Sequence, residues 1–226
     1  MVIHVPHASL YVPSSVRDQF LVDTSAIKAE ARESADLWTD IIAHEVWPTA
    51  TIVTANVSRI VVDVERYSDD TLEEMSQVGR GVVYTHSHDG MKIRWASKAI
   101  KDKLITKYYT PHWNNLRKAS KGKTLIDLHS YPAKPWAVEP HKGNRPQIDI
   151  GTNVKLFPTP WVRKLTEFFQ SNGVTVAINR PYVGVIDCGA QSAIMLEIRR
   201  DLLATGPESK IFKEMTNLLK RMPTAW

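Results

Sequence analysis

Residues 124–136 read TLIDLHSYPAKPW. Leu125 to His129 form a nearly continuous apolar run, and the chain breaks beyond it at Ser130, Tyr131 and Pro132. Side chains alternate across a strand, so Asp127 and His129 face the same side. An apolar run of this length fits a strand buried on both faces, as in a parallel sheet covered by helices. The stretch therefore predicts a central sheet strand that delivers a histidine to its carboxyl end.

Further strands are predicted at VIHV (2–5), TIVTA (51–55), RIVVDV (59–64), VTVAIN (174–179) and SAIMLEI (192–198), all rich in branched residues. Apolar spacing predicts helices over 24–47 and over 94–119, the second interrupted near Pro111. Thr159-Pro160 opens a helix that runs to Phe169 and is closed by Asn172-Gly173. A closing helix is predicted over 208–222. Strands alternating with helices predict a three-layer α/β/α fold with a mostly parallel or mixed central sheet. The whole chain, 1–226, reads as a single domain. The proline-rich stretch 130–158 reads as a long functional loop.

The composition is that of a soluble globular protein, with 43% apolar and 23% charged residues. The net charge of +5 favours an anionic small-molecule partner, yet lysine and arginine form no cluster that would suit nucleic acid. The single cysteine, Cys188, excludes an intrachain disulfide and a four-thiolate zinc site. The start MVIHVPHASL resembles a strand rather than a signal peptide, and no apolar stretch is long enough to span a membrane. The expected location is cytoplasmic.

Ligands of open α/β sheets bind beyond the carboxyl ends of the strands. Three strands carry polar groups there: His7 after the first, His129 after the central one, and Glu197 with Arg199 on one face of the last. Strand-end histidines are commonly structural. A carboxylate within an apolar strand demands a cation, a metal or a raised pKa, because burying it unpaired costs several kcal/mol. Two histidines and a carboxylate from separate elements suit an open zinc site with water in the fourth position.

Six short pieces, VPHAS, SADLWTD, SRIVVDVERY, GVVYTHSHDG, YYTPHW and LIDLHSYP, stand in the order seen in the N-formylglutamate amidohydrolase family. IDLHSY and MLEIRRD also resemble the histidine and glutamate strands of zinc carboxypeptidases. The resemblance covers most of residues 3–200. It implies a zinc-peptidase-like (phosphorylase/hydrolase-like) fold and one zinc ion per chain, held by His7 and His129. The carboxypeptidase pattern would put a glutamate ligand at Leu10, which cannot bind a metal. The resemblance turns instead to ESADLWTD, where Asp36 is the expected third ligand and Glu33 and Asp40 are alternatives on the same helix.

The same resemblance implies that Glu197 is the general base, that Asp127 holds the ring of His129, and that Arg66 grips a substrate carboxylate. Glu65 stands where the family often has asparagine. Arg59 is expected to polarise the scissile carbonyl or bind a second carboxylate, with Arg80, Arg94 and Arg199 as further substrate-binding candidates. THSHDG (85–90) is similar to the ligand run of metallo-β-lactamase-like hydrolases, but Gly90 replaces its last histidine. One of His86 and His88 is expected near the pocket. His112 is expected to pack or cap its helix. The expected activity is zinc-dependent cleavage of the amide bond of a small acidic N-acyl amino acid such as N-formylglutamate. The alternatives are a carboxypeptidase-like or cell-wall peptide hydrolase, and a metal-free binding protein.

Overall fold

The computed structural model describes residues 1–140, 142–203 and 205–223. Six strands, β1 (Val2–Val5), β2 (Thr51–Thr54), β3 (Thr124–Tyr131), β4 (Ile148–Gly151), β5 (Val176–Ile178) and β6 (Ser192–Arg199), form one sheet in the order β2-β1-β3-β6-β4-β5. β1, β2, β3 and β6 are parallel; β4 runs antiparallel to β6, and β5 parallel to β4. The expected mixed α/β sheet is present, and the strands ending near His7 and His129 neighbour each other, with the Glu197 strand next in line.

Period-two alternation divides the sheet into two faces. Ile3, Ile126, Leu128, Ile194 and Leu196 pack beneath α2 (Thr39–Val46), α5 (Thr159–Ser171) and α6 (Lys210–Lys220). Val2, Leu125 and Ala193 pack on the other face against Leu116 of α4 (Thr110–Ser120). His4, Asp127, His129 and Glu197 share that second face by alternation along β1, β3 and β6. α4 covers only part of it, which leaves the carboxyl ends of β3 and β6 open to a cleft. A further cluster joins Ile27 and Ala31 of α1 (Thr24–Ser34) to residues 60–64 and 82–84.

Four expectations are corrected. The region 24–47 is two helices, α1 and α2, separated where Ala35 is extended and Trp38 adopts φ +71°. In that break the Asp36 N–H donates to the His7 carbonyl at 3.0 Å instead of to a helical carbonyl. RIVVDV is no strand. It is a buried irregular segment in which the Ile60 and Val61 carbonyls, lacking a sheet partner, accept from Arg94 at 3.1 Å each. The helical stretch around Pro111 is not cut there. α3 (Lys98–Leu104) passes through one π-helical turn, 105–109, into α4, whose first turn holds the proline. Finally, the 130–158 stretch contains β4, whose IDIG sequence is too short to show a periodicity.

Candidate active site

The cleft beside β3 and β6 has a volume of about 1170 Å³. Its wall includes His7, Asp36, Arg59, Glu65, Arg66, Asp127, His129 and Glu197, so residues from 190 positions of chain meet in one place. The break before α2 drops Asp36 beside both histidines. One carboxylate oxygen, Oδ2, lies 3.0 Å from His129 Nδ1 and 3.4 Å from His7 Nδ1. The other, Oδ1, accepts from Arg200 Nη2 at 3.1 Å. The two imidazole rings stand 5.1 Å apart, centroid to centroid.

The far nitrogen of each ring is held by carboxylates. His7 Nε2 donates to Asp63 Oδ1 at 2.9 Å. His129 Nε2 lies 3.2 Å from Asp127 Oδ1 and 3.1 Å from Glu65 Oε2. Glu65 Oε2 also lies 3.7 Å from His7 Nε2. His7, Glu65 and His129 can present ligand atoms within 4.8 Å of one another. His7 Nδ1 is buried without a hydrogen-bond partner.

Asp36 and Asp63 are held as carboxylates although buried. Burial pushes Asp36 towards neutrality, but His129 and His7 hold it well below the usual carboxylate range. Burial likewise opposes the charge of Asp63, which Arg59 and His7 keep well below that range. For His129, Glu65 and Asp127 outweigh burial and hold the imidazolium well above its ordinary value. Glu197 behaves differently. Burial, with Asp36, Asp149 and Glu65 nearby, pushes it up to about 8 against the opposing pull of His129, and its Oε2 has no partner. A carboxyl poised near neutrality in a cleft suits proton transfer.

Behind the site runs a buried row. Asp127 accepts from His4 Nδ1 at 2.8 Å, and His4 Nε2 meets His112 Nε2 at 2.8 Å. Asp127 is fully buried and faces both His129 and His4, and His112 is buried against His4.

The arginines separate by position. Arg59 donates through Nε and Nη2 to Asp63 at 3.0 and 2.7 Å, beside Tyr84, whose hydroxyl donates to the same oxygen at 2.6 Å. Arg66 reaches Glu73 at 3.3 Å and stays partly exposed in the cleft. Arg80 lies in the wall between the rings of Tyr84 and Trp136 and pairs with Glu30 at 2.9 Å.

Two arginines expected at the substrate lie outside the cleft wall. Arg94 is spent on the 60–61 carbonyls and Gln19, and burial lowers its pKa to about 10. Arg199 follows Glu197 on its strand face, but at the strand end it turns onto Asp201 at 2.7 Å and the Arg145 carbonyl at 2.9 Å. Among the alternative ligands, Glu33 accepts from Trp136 Nε1 at 2.9 Å, and Asp40 sits in the first turn of α2 beyond the break. His86 and His88 do not line the cleft; His88 Nδ1 donates to Glu30 at 2.7 Å. Cys188 is a buried thiol whose pKa burial raises.

Asp63, Tyr84, Arg200 and His4 escaped the sequence reading as site residues. Asp63 lies in a stretch whose branched residues predict a strand, and the resemblance points only to Arg59, Glu65 and Arg66 around it. Arg200 was legible as part of the Arg199-Arg200-Asp201 run, but which of the two arginines turns inward depends on where β6 ends.

The comparisons with known proteins agree with this architecture. The sequence model of a family described as N-formylglutamate amidohydrolase matches residues 1–204. An N-formylglutamate amidohydrolase from Ralstonia eutropha JMP134 has a similar structure, with a TM-score of 0.79 at 19% identity, over 98% of this chain and 90% of that one. A gene product of Agrobacterium tumefaciens gives 0.72 at 16% identity, over 98% and 87%. At these identities the likeness is one of fold. No curated protein matches.

Proposed function

The chain belongs to the N-formylglutamate amidohydrolase family, and from that membership we propose that it is a metal-dependent hydrolase cleaving the amide bond of a small acidic N-acyl amino acid such as N-formylglutamate. The observation that carries the metal is the pairing of Asp36 Oδ2 with two imidazole Nδ1 atoms, one of which, on His7, is a buried nitrogen without a partner. Each ring's Nε2 is already engaged by a carboxylate, the usual way a histidine ligand is oriented. Arg200 occupies Oδ1 and leaves Oδ2 facing the two imidazoles.

Two imidazoles and a carboxylate with an open position suit a single zinc ion. We assign His7, His129 and Asp36 as its ligands. Glu65 is the competing third ligand by proximity, but its approach is to the Nε2 atoms, where it shares the rings with Asp63 and Asp127. A bound zinc ion would supply Lewis acidity at the scissile carbonyl and acidify water.

The chain's own residues do the rest. Glu197 takes a proton from water at its unpartnered Oε2 and returns it to the leaving amine. Arg59, braced by Asp63, offers its remaining Nη1 to the carbonyl oxygen. Arg66 offers a guanidinium fork to the substrate carboxylate. Asp127 and His4 hold His129 from behind.

The test pairs metal analysis with hydrolysis of N-formylglutamate. The expected result is one zinc per chain, with metal and activity both lost in His129→Ala and Asp36→Ala but metal kept in Glu65→Ala. Metal lost in Glu65→Ala and kept in Asp36→Ala would reassign the third ligand. A protein that binds no metal stoichiometrically would be a binding protein on this fold.

A further inference from the structure

The cleft is larger than the proposed substrate requires. Drug-sized ligands occupy pockets of roughly 300–1,000 Å³, and a formylated amino acid is smaller than these, yet the cleft measures about 1170 Å³. Part of the wall is one face of the helical stretch, where Tyr109 of the π turn and Trp113 and Arg117 of α4, spaced by four, all line the cleft. Residues at that spacing lie on one helix face. Tyr109 at the inner end donates its hydroxyl to the Arg66 carbonyl at 3.0 Å, and Trp113 Nε1 donates to the Val64 carbonyl at 2.8 Å. Both tie the stripe to the segment that carries Arg66. Arg117 lies at the outer end with its guanidinium 4.9 Å from the Trp113 ring.

Charge singles out Arg117. Arg59, Arg66, Arg80 and Arg200, the other arginines of the wall, each have a carboxylate partner. Arg117 has none among the described residues. Eight residues of helix separate it from Tyr109, roughly 12 Å along the axis at 1.5 Å per residue. An extended peptide advances about 3.3 Å per residue, so that distance is beyond a single amino acid. The cleft wall also includes two exposed apolar side chains, Val154 and Val183.

Resting on the hydrolase reading above, we propose that this helix face of the cleft is a subsite for the C-terminal part of an N-acylated short peptide, whose terminal carboxylate pairs with Arg117. The substrate class is thus extended beyond a single acyl amino acid. Trp113 and the two valines would contact the peptide's side chains.

The test uses the metal-replete protein with three probes: N-formylglutamate, an N-formyl tripeptide beginning with glutamate, and the same tripeptide as its C-terminal amide. Hydrolysis is measured by kinetics, and binding by calorimetry. Wild type should prefer the tripeptide acid over both other probes, through KM more than kcat. In Arg117→Ala the acid-over-amide preference should fall about tenfold, equivalent to roughly 1.4 kcal/mol, and Arg117→Lys should recover part of it. Equal affinity for acid and amide in wild type, or an acid preference unchanged in Arg117→Ala, would overturn the subsite. If no probe is hydrolysed but the acid still binds in an Arg117-dependent way, the subsite stands and the hydrolase reading fails.

Discussion

At the scale of single residues, Glu197 in its proposed role is what would separate a working hydrolase from a zinc-binding relic. It sits in an apolar strand, opposite His129 in register, with one oxygen unpaired and a pKa near 8. Glu197→Gln preserves size but cannot accept a proton. Zinc content should stay at one per chain while kcat falls roughly 100-fold to 10,000-fold, the range of a general acid–base group. A wild-type rate in the variant would reduce Glu197 to a structural carboxylate. Its place in the cleft was legible because a carboxylate amid Ile194, Leu196 and Ile198 has no bland explanation. His7 and His129 were legible because strand ends are where such folds bind ligands. Arg94 was not: its neighbours in sequence say nothing of the two carbonyls it satisfies 33 and 34 residues away.

At the scale of elements, α4 and β4 each carry a prediction. α4 is seated on the sheet through His112 against His4, and burial with the neighbouring His4 lowers the pKa of His112 to about 3. The folded-state value lies below the ordinary 6.5, so on acidification the unfolded chain takes up this proton first. Stability from this source is intact above pH 6.5 and is lost progressively towards pH 3. His112→Gln should shrink the fall in Tm across that window by several degrees, given about 2–4 °C per kcal/mol in a domain this size. An unchanged acid profile would sink the idea.

At the end of β4, Gly151 lets the 182–187 segment lie directly on the strand: a β-carbon there would collide with the Gly184 carbonyl and with Met195. Overpacking of this kind costs about 1–3 kcal/mol. Gly151→Ala should therefore lower Tm and, because that segment walls the cleft, raise KM; a variant matching wild type in both would show that the wall yields freely. Neither β4 nor the break at Asp36 could be read beforehand. Four residues carry no measurable period, and the break depends on a hydrogen bond to His7 that exists only once the sheet has formed.

On the scale of the whole molecule, we propose that the chain unfolds as one domain, because a single sheet carries the apolar clusters on both of its faces. Calorimetry should give a single transition, and its Tm should fall on chelation because a ligand bound only by the native state stabilises it. Two resolved transitions would divide the domain. No helix among the described residues is long and apolar enough to cross a membrane. The alternation of strands and helices made the fold class legible, whereas the antiparallel turn of β4 and β5 against the rest depends on a crossover that no local pattern announces.

The strand order has a further consequence for how the protein is made. β1 begins at residue 2, yet its neighbour β3 begins at 124 and β6 at 192. Pairings this distant in sequence fold slowly, because the intervening loops must close before any contact rewards them. During synthesis on a ribosome, which runs at about 5–20 residues per second, His7 and Asp36 emerge long before His129 and Glu197. The nascent chain can therefore assemble the proposed ligand set only once β3 is out and add the proposed proton acceptor only with β6, and β1 must wait in the interval with one sheet edge open.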